Sequence, residues 1–349
     1  MMPVQNIKLM AFVFLIVLIQ INQTAIFARE TTRPGTAAAQ FLKIGVGARA
    51  QALGGASAGL RDDVSSLYWN PAGIASIKST IWQGVHTSWF ADIKHDFGGV
   101  VFPVGKNTVV GLSSILLSMG DEEITTVDQP KGTGQFWNAS DLAVGLSYAI
   151  QLTDRYSIGI TGKYISERIY NEKATTFALD IGTSLKTPFK GMIIGMAFTN
   201  FGGDLQLEGR DLLRGYDTNP QSDRNDPVDT RLQTEPWPLP VNFRVGISLM
   251  LLGQSQAALV YSKKHSLQLL LDGNHPNDDA ENLRLGAEFG INRILFLRAG
   301  YEISEIKQRF SFGAGLNAPL KQFHFALDYG LSAYADLGYV NFTSFTLQF

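Results

Sequence analysis

A two-residue period constrains this sequence more than any other feature. It is sustained over segments of about 10 to 14 residues and returns along most of the chain. In "VNFRVGISLML", Val241, Phe243, Val245, Ile247, Leu249 and Leu251 fall on one face, and Asn242, Arg244, Gly246 and Ser248 on the other. In "DLAVGLSYAI", Leu142, Val144, Leu146, Tyr148 and Ile150 oppose Ala143, Gly145, Ser147 and Ala149. Successive side chains of a strand point to opposite faces, so each segment is a strand with one long apolar, aromatic-tipped face.

Such strands suit a soluble sandwich, whose apolar faces meet in a core, or a membrane barrel, whose apolar faces meet lipid. Soluble strands run to about five or six residues, whereas crossing a membrane at a tilt needs about 9 to 11. The second face is rich in Gly, Ala and Ser and also carries Lys163, Glu167, Asp180, Arg244, Arg284, Glu288, Arg298, Glu302, His324 and Asp328. A charged face rich in small residues suits a lumen. The expected fold is therefore an all-β, transmembrane antiparallel β-barrel.

Alternating segments cover 79–90, 94–104, 107–118, 138–152, 155–169, 174–186, 191–201, 237–252, 255–272, 281–290, 293–303, 308–317, 320–331 and 338–349, about 14 strands. The even-numbered connections, "VGKN", "LTDR", "KTPFKG", "LGQS", "GINR" and "NAPLK", are tight turns. Several odd-numbered ones are long: "GDEEITTVDQPKGTGQFWN", the stretch from Gly202 to Glu235, and "DGNHPNDDAE". Short turns on one rim and longer loops on the other are what an outer-membrane barrel requires. The final strand, "YVNFTSFTLQF", ends on Phe349, and a C-terminal aromatic there resembles the assembly signal of bacterial outer-membrane barrels.

Composition closes off other classes. A formal net charge of -2 over 349 residues favours no nucleic acid, and the absence of Cys removes disulfides, thiolate metal sites and a thiol nucleophile. After the N-terminus no run approaches the roughly 18 apolar residues of a membrane helix. Lys8, the apolar run Leu9–Ile21 and Ala28 before Arg29 read as a secretory signal. The expected organisation is a signal peptide over 1–28, an N-terminal segment over 29–78 and a barrel over 79–349.

Residues 35–77 do not alternate. Gly45, Gly47, Gly54, Gly55 and Gly59 permit close backbone approach. Asp62 or Asp63 can cap a short helix through Val64 to Tyr68, and Asn70 can cap a second with Pro71 at its first position, followed by Ala72 and Gly73.

The run "GVGARAQALGGASAGLRDDVSSLYWNPAGIA", the strand start "PLPVNFRVGIS", "DGNHPNDDAENLRLGAEF" and "LRAGYE" together resemble the PorV/PorQ family, within the wider FadL-like group of outer-membrane barrels. The resemblance implies a barrel of about 14 strands whose N-terminal segment folds into the lumen as a hatch or plug, with the Asn-Pro-Ala block as part of the hatch. It also implies a non-enzymatic role in type IX-linked protein export or surface attachment, with secretion-system components or exported cargo proteins as partners. The alternative is passive, FadL-like transport of hydrophobic small molecules, with a hydrophobic ligand. Either way the chain sits in outer-membrane lipid.

No catalytic, metal or cofactor site is expected. The five His residues make no H-E-x-x-H spacing, and neither G-x-S-x-G nor a P-loop occurs. His95 beside Asp96 reads as a rim hydrogen bond, and "DGNHPNDDAE" as a turn in preference to a Ca²⁺ site. The inner charges, including Arg244, Arg284, Glu288, Arg298, Glu302 and Asp328, are expected to pair with one another and with Arg49, Arg61, Asp62 and Asp63. The loop Gly202–Glu235 is the expected partner-contacting element.

Overall fold

A computed structural model describes residues 35–217, 228–254, 258–304, 308–320 and 323–349. The segment expected to be a signal peptide lies outside the described residues, as does part of the loop Gly202–Glu235.

Among the described residues, fourteen antiparallel strands close into a barrel. They are β1 (Ile81–Ser88), β2 (Lys94–Pro103), β3 (Thr108–Ser118), β4 (Ala139–Gln151), β5 (Tyr156–Ile169), β6 (Glu172–Lys186), β7 (Ile193–Gly202), β8 (Asn242–Gly253), β9 (His265–Pro276), β10 (Asn282–Ile291), β11 (Leu295–Ser304), β12 (Gln308–Pro319), β13 (His324–Ala333) and β14 (Tyr339–Gln348). Each pairs with its neighbours in sequence, and β1 pairs with β14, Ile81 opposite Gln348, so no edge is left open. In lipid that closure is obligatory, because an unpaired edge would strand backbone polar groups without water.

The alternation sorts side chains as the period demands. Leu146, Phe177, Phe201, Leu297, Phe310 and Phe312 point outward and are exposed, while Ala143, Ser147, Ala149, Thr161, Ser311 and Ser344 point inward and are buried. Cross-strand aromatic pairs reinforce the outer face: Tyr301 stacks on Phe310 with ring centroids 4.4 Å apart. An outer surface this apolar belongs in a membrane, and the barrel is an outer-membrane protein.

Two connections depart from the expected spans. The strand expected over 255–272 instead runs as β9, His265–Pro276. Before it, Val260–Tyr261 pair in parallel with the end of β8, and Ser262 Oγ accepts a hydrogen bond from His265 N at 3.1 Å. At its far end, the turn-forming residues of "DGNHP" continue the ladder because Asp272 and Asn274 keep the inward parity of Leu270, and both are buried. The odd-numbered connection there shrinks to residues 277–281. Asp96 does not bond its neighbour His95. Adjacent strand residues face opposite ways, so Asp96 instead meets His86 across the β1–β2 pair at 2.7 Å, while His95 is buried.

The N-terminal segment packs against the inner faces of the strands. It comprises a 3₁₀ turn at Gln40–Lys43, helix α1 (Ala48–Ala52), helix α2 (Ser66–Trp69) and a 3₁₀ helix at Pro71–Ser76. Inward glycines make room for it: a Cβ at Gly195 would lie 1.8 Å from Ala58 O, and one at Gly300 would lie 2.0 Å from Gly54 N. Leu67 and Ile74 join Val101, Val109 and Ile165 of the strands in one apolar cluster.

Candidate functional site

The sequence-chosen residues fall into three groups. The first is the Asn-Pro-Ala block. Asn70 is fully buried and forms the N-cap of the 3₁₀ helix, its Oδ1 accepting from Ala72 N at 3.1 Å, with Pro71 at the first position. Its Nδ2 donates to Ala58 O at 2.8 Å and to Thr183 O of β6 at 3.0 Å, joining the segment to the barrel wall. A Cβ at Gly73 would meet Ser66 Oγ at 2.6 Å, so α2 and the 3₁₀ helix pack too closely there for a larger residue. Asp62, at φ +61°, accepts from Ser76 Oγ at 2.5 Å on the exposed side. Asp63 turns inward, and its Oδ1 accepts from Ser65 N at 2.9 Å ahead of α2.

The second group is a buried ion chain. Arg49 on α1 reaches Asp63 at 3.1 Å and makes two bonds of 2.8 Å with Glu288 on β10. Glu288 also accepts from Arg298 Nε on β11 at 2.6 Å, and Arg298 continues to Asp328 on β13 at 2.6 Å. Burial disfavours the Arg49 cation, yet Glu288 and Asp63 outweigh that cost and hold its pKa above the usual arginine value. Five charges thus run Asp–Arg–Glu–Arg–Asp from the segment into the wall.

The third group faces a cavity of about 660 Å³. Its lining includes Pro276, Asn282, Glu302 and Gln308 at strand ends together with Trp89 and Tyr334 of odd-numbered connections, which places it at the rim of the longer loops. The guanidinium of Arg244 lies over the rings of Tyr68 and Trp69, at 5.1 and 4.9 Å from their centroids, and that of Arg284 lies 5.8 Å from the Trp69 centroid. Glu302 takes Arg309 as a close partner and Arg284 at 3.7 Å. Lys43, also on the lining, pairs with Asp278 at 3.1 Å and Asp279 at 3.4 Å.

Sequence reasoning did not select Asp272, Arg309 or Tyr68 and Trp69. Asp272 is fully buried, and its Oδ2 accepts from Ser57 N and Ala58 N at 2.7 Å each, cradling the Gly-rich turn. Its inward parity with Gln268 and Leu270 was the available signal, as was that of Arg309 with Ser311 and Gly313. Arg61, expected to pair, forms no ion pair among the described residues, and its Nε–H has no acceptor there.

Comparisons with known proteins come from two directions. The family model described as "Type IX secretion system protein PorV" matches residues 27–201, half of the chain, covering the N-terminal segment and the strands through β7. No curated protein matches. Among solved structures, the fold is similar to the toluene transporter TbuX of Ralstonia pickettii, with a TM-score of 0.54 and 13% identity over 87% of this chain and 97% of that one. The toluene transporter TodX of Pseudomonas putida gives 0.55 and 11% over 87% and 96%, and a FadL homologue from Pseudomonas aeruginosa gives 0.53 and 12% over 87% and 97%.

Proposed function

The chain belongs to the family of type IX secretion system protein PorV, and from that membership we propose that it is a non-enzymatic outer-membrane barrel serving the export or surface attachment of proteins. The family match is the observation that carries this reading. In it, the chain works as a docking barrel: exported proteins or secretion components meet its outer loops, and the N-terminal segment acts as a hatch that keeps the lumen closed.

Three features support that arrangement. The segment is held by a buried ion chain and by Asn70 and Asp272, anchors suited to a fixed element. The inner faces of β8, β10, β11 and β13 carry Arg244, Arg284, Glu288, Arg298 and Asp328, which favours docking over an apolar conduit. The connection after β7 carries its own exposed two-stranded ribbon, Leu213–Tyr216 with Val228–Arg231, and offers backbone and side chains for contact. We assign partner contact to this loop, and deletion of residues 203–235 is expected to abolish partner capture while the barrel still folds.

The deciding experiment deletes the gene and compares surface-attached proteins with uptake of labelled fatty acids. The expected result is a depleted surface proteome with unchanged uptake. Loss of uptake with an unchanged surface proteome would replace this reading with passive transport of hydrophobic molecules.

A further inference from the structure

The rim cavity holds more hydrogen-bond donors than its own acceptors use. Arg244, Arg284 and Arg309 all line it, and the Nε–H of each is buried with no acceptor among the described residues. Arg244 is only 5% exposed, forms no ion pair with a carboxylate among the described residues, and is held by two long bonds of 3.4 Å to Tyr68 O and Trp69 O and by the rings of Tyr68 and Trp69. A buried guanidinium without a carboxylate is costly, because ring faces and long carbonyl bonds repay its desolvation only in part. Arg284 and Arg309 share the single carboxylate of Glu302, so three guanidinium groups line one space with one acidic partner among them.

We propose that this cavity binds a small aromatic carboxylate, its carboxylate on Arg244 and Arg284 and its ring among Trp89, Phe90 and Tyr334. The fork of a guanidinium matches the two oxygens of a carboxylate, and its seat over Trp69 fixes the plane of the fork. A dianion fits less well, because Glu302 already stands beside Arg284 and Arg309. The body of the ligand is set by the rings. Trp89, Phe90 and Tyr334 pack edge to face with centroids 5.0 to 5.4 Å apart, and the Arg309 guanidinium lies over the Tyr334 ring at 4.5 Å, so the aromatic wall adjoins the cations. A volume of about 660 Å³ lies within the usual range for small-molecule sites and accepts a two-ring acid. The site goes beyond the export role and stands or falls independently of it.

The test is calorimetric titration of the full chain in lipid nanodiscs, with empty nanodiscs as reference, using 2-naphthoate, 2-naphthylmethanol and inorganic phosphate. The acid is expected to bind at least about tenfold more tightly than the alcohol, and phosphate is expected not to compete. Arg244→Gln and Arg284→Gln should each remove most of the preference for the acid. Glu302→Gln should strengthen binding of the acid, because it releases Arg284 and Arg309 from a competing carboxylate; a purely structural role for these arginines would not produce that gain. Folding of each variant is checked by its heat-modifiable gel mobility. Equal affinity for acid and alcohol, competition by phosphate, or folded Arg244→Gln and Arg284→Gln variants that bind unchanged would overturn the proposal.

Discussion

Asn70 commits every hydrogen-bonding group of its side chain, one acceptor to its own helix and two donors to carbonyls elsewhere. Asn70→Asp keeps the cap but turns an acceptor toward Ala58 O and Thr183 O, so it should be at least as harmful as Asn70→Ala. Each is expected to cost about 2 kcal/mol or more, measured as a shift in the urea midpoint of the heat-modifiable gel band. A harmless Asn70→Asp beside a harmful Asn70→Ala would mean that the cap alone matters. Arg298 poses a sharper case, for its side chain sits between Glu288 and Asp328, all three nearly excluded from solvent. Arg298→Gln leaves two buried carboxylates short of a cation and should cost about 3 to 5 kcal/mol by the same midpoint. The cap was legible in the sequence because Asn-Pro is a local signal. The bond to Thr183 was not, because 113 residues separate the partners and nothing local encodes the meeting.

At the scale of elements, strand number and inward parity were legible because a slip of one residue would turn every side chain to the wrong face. The ends of β9 were not. Gly, Asn, Pro and Asp announce a turn by composition, and only the barrel's demand for a continued ladder overrides it at Asp272–Pro276. The richness of the inner face in glycine also acquires a cause beyond lumen polarity: the strands thin where the N-terminal segment presses against them. Gly195→Ala and Gly300→Ala should therefore each destabilise the protein by about 1 to 3 kcal/mol and raise protease cleavage within residues 35–77. Gly162, with no atom within 4 Å of an added Cβ, serves as the control and should tolerate Ala. Equal behaviour at all three positions would show that close approach is not what the glycines serve.

For the whole molecule, the proposed hatch role of the N-terminal segment turns on the number of strands. Eight strands make a barrel that its own side chains can fill, whereas sixteen to eighteen leave an aqueous channel. Fourteen strands fall between these cases, and inward glycines such as Gly195 and Gly300 leave room against the wall. Residues from Val46 to Ile74 occupy that space with little or no solvent exposure for most of their side chains, joined to the wall by Arg49, Asn70 and the turn that Asp272 holds. Their removal should convert a closed barrel into a pore. In liposome swelling with arabinose and sucrose, the full chain is expected to be impermeable, and a chain lacking residues 35–77 that still shows the folded gel mobility is expected to admit both sugars. Swelling by the full chain would mean that the segment leaves a continuous water path. A folded deletion variant that stays impermeable would mean that the loops close the lumen, and the docking reading would then have to place its gate at the outer rim.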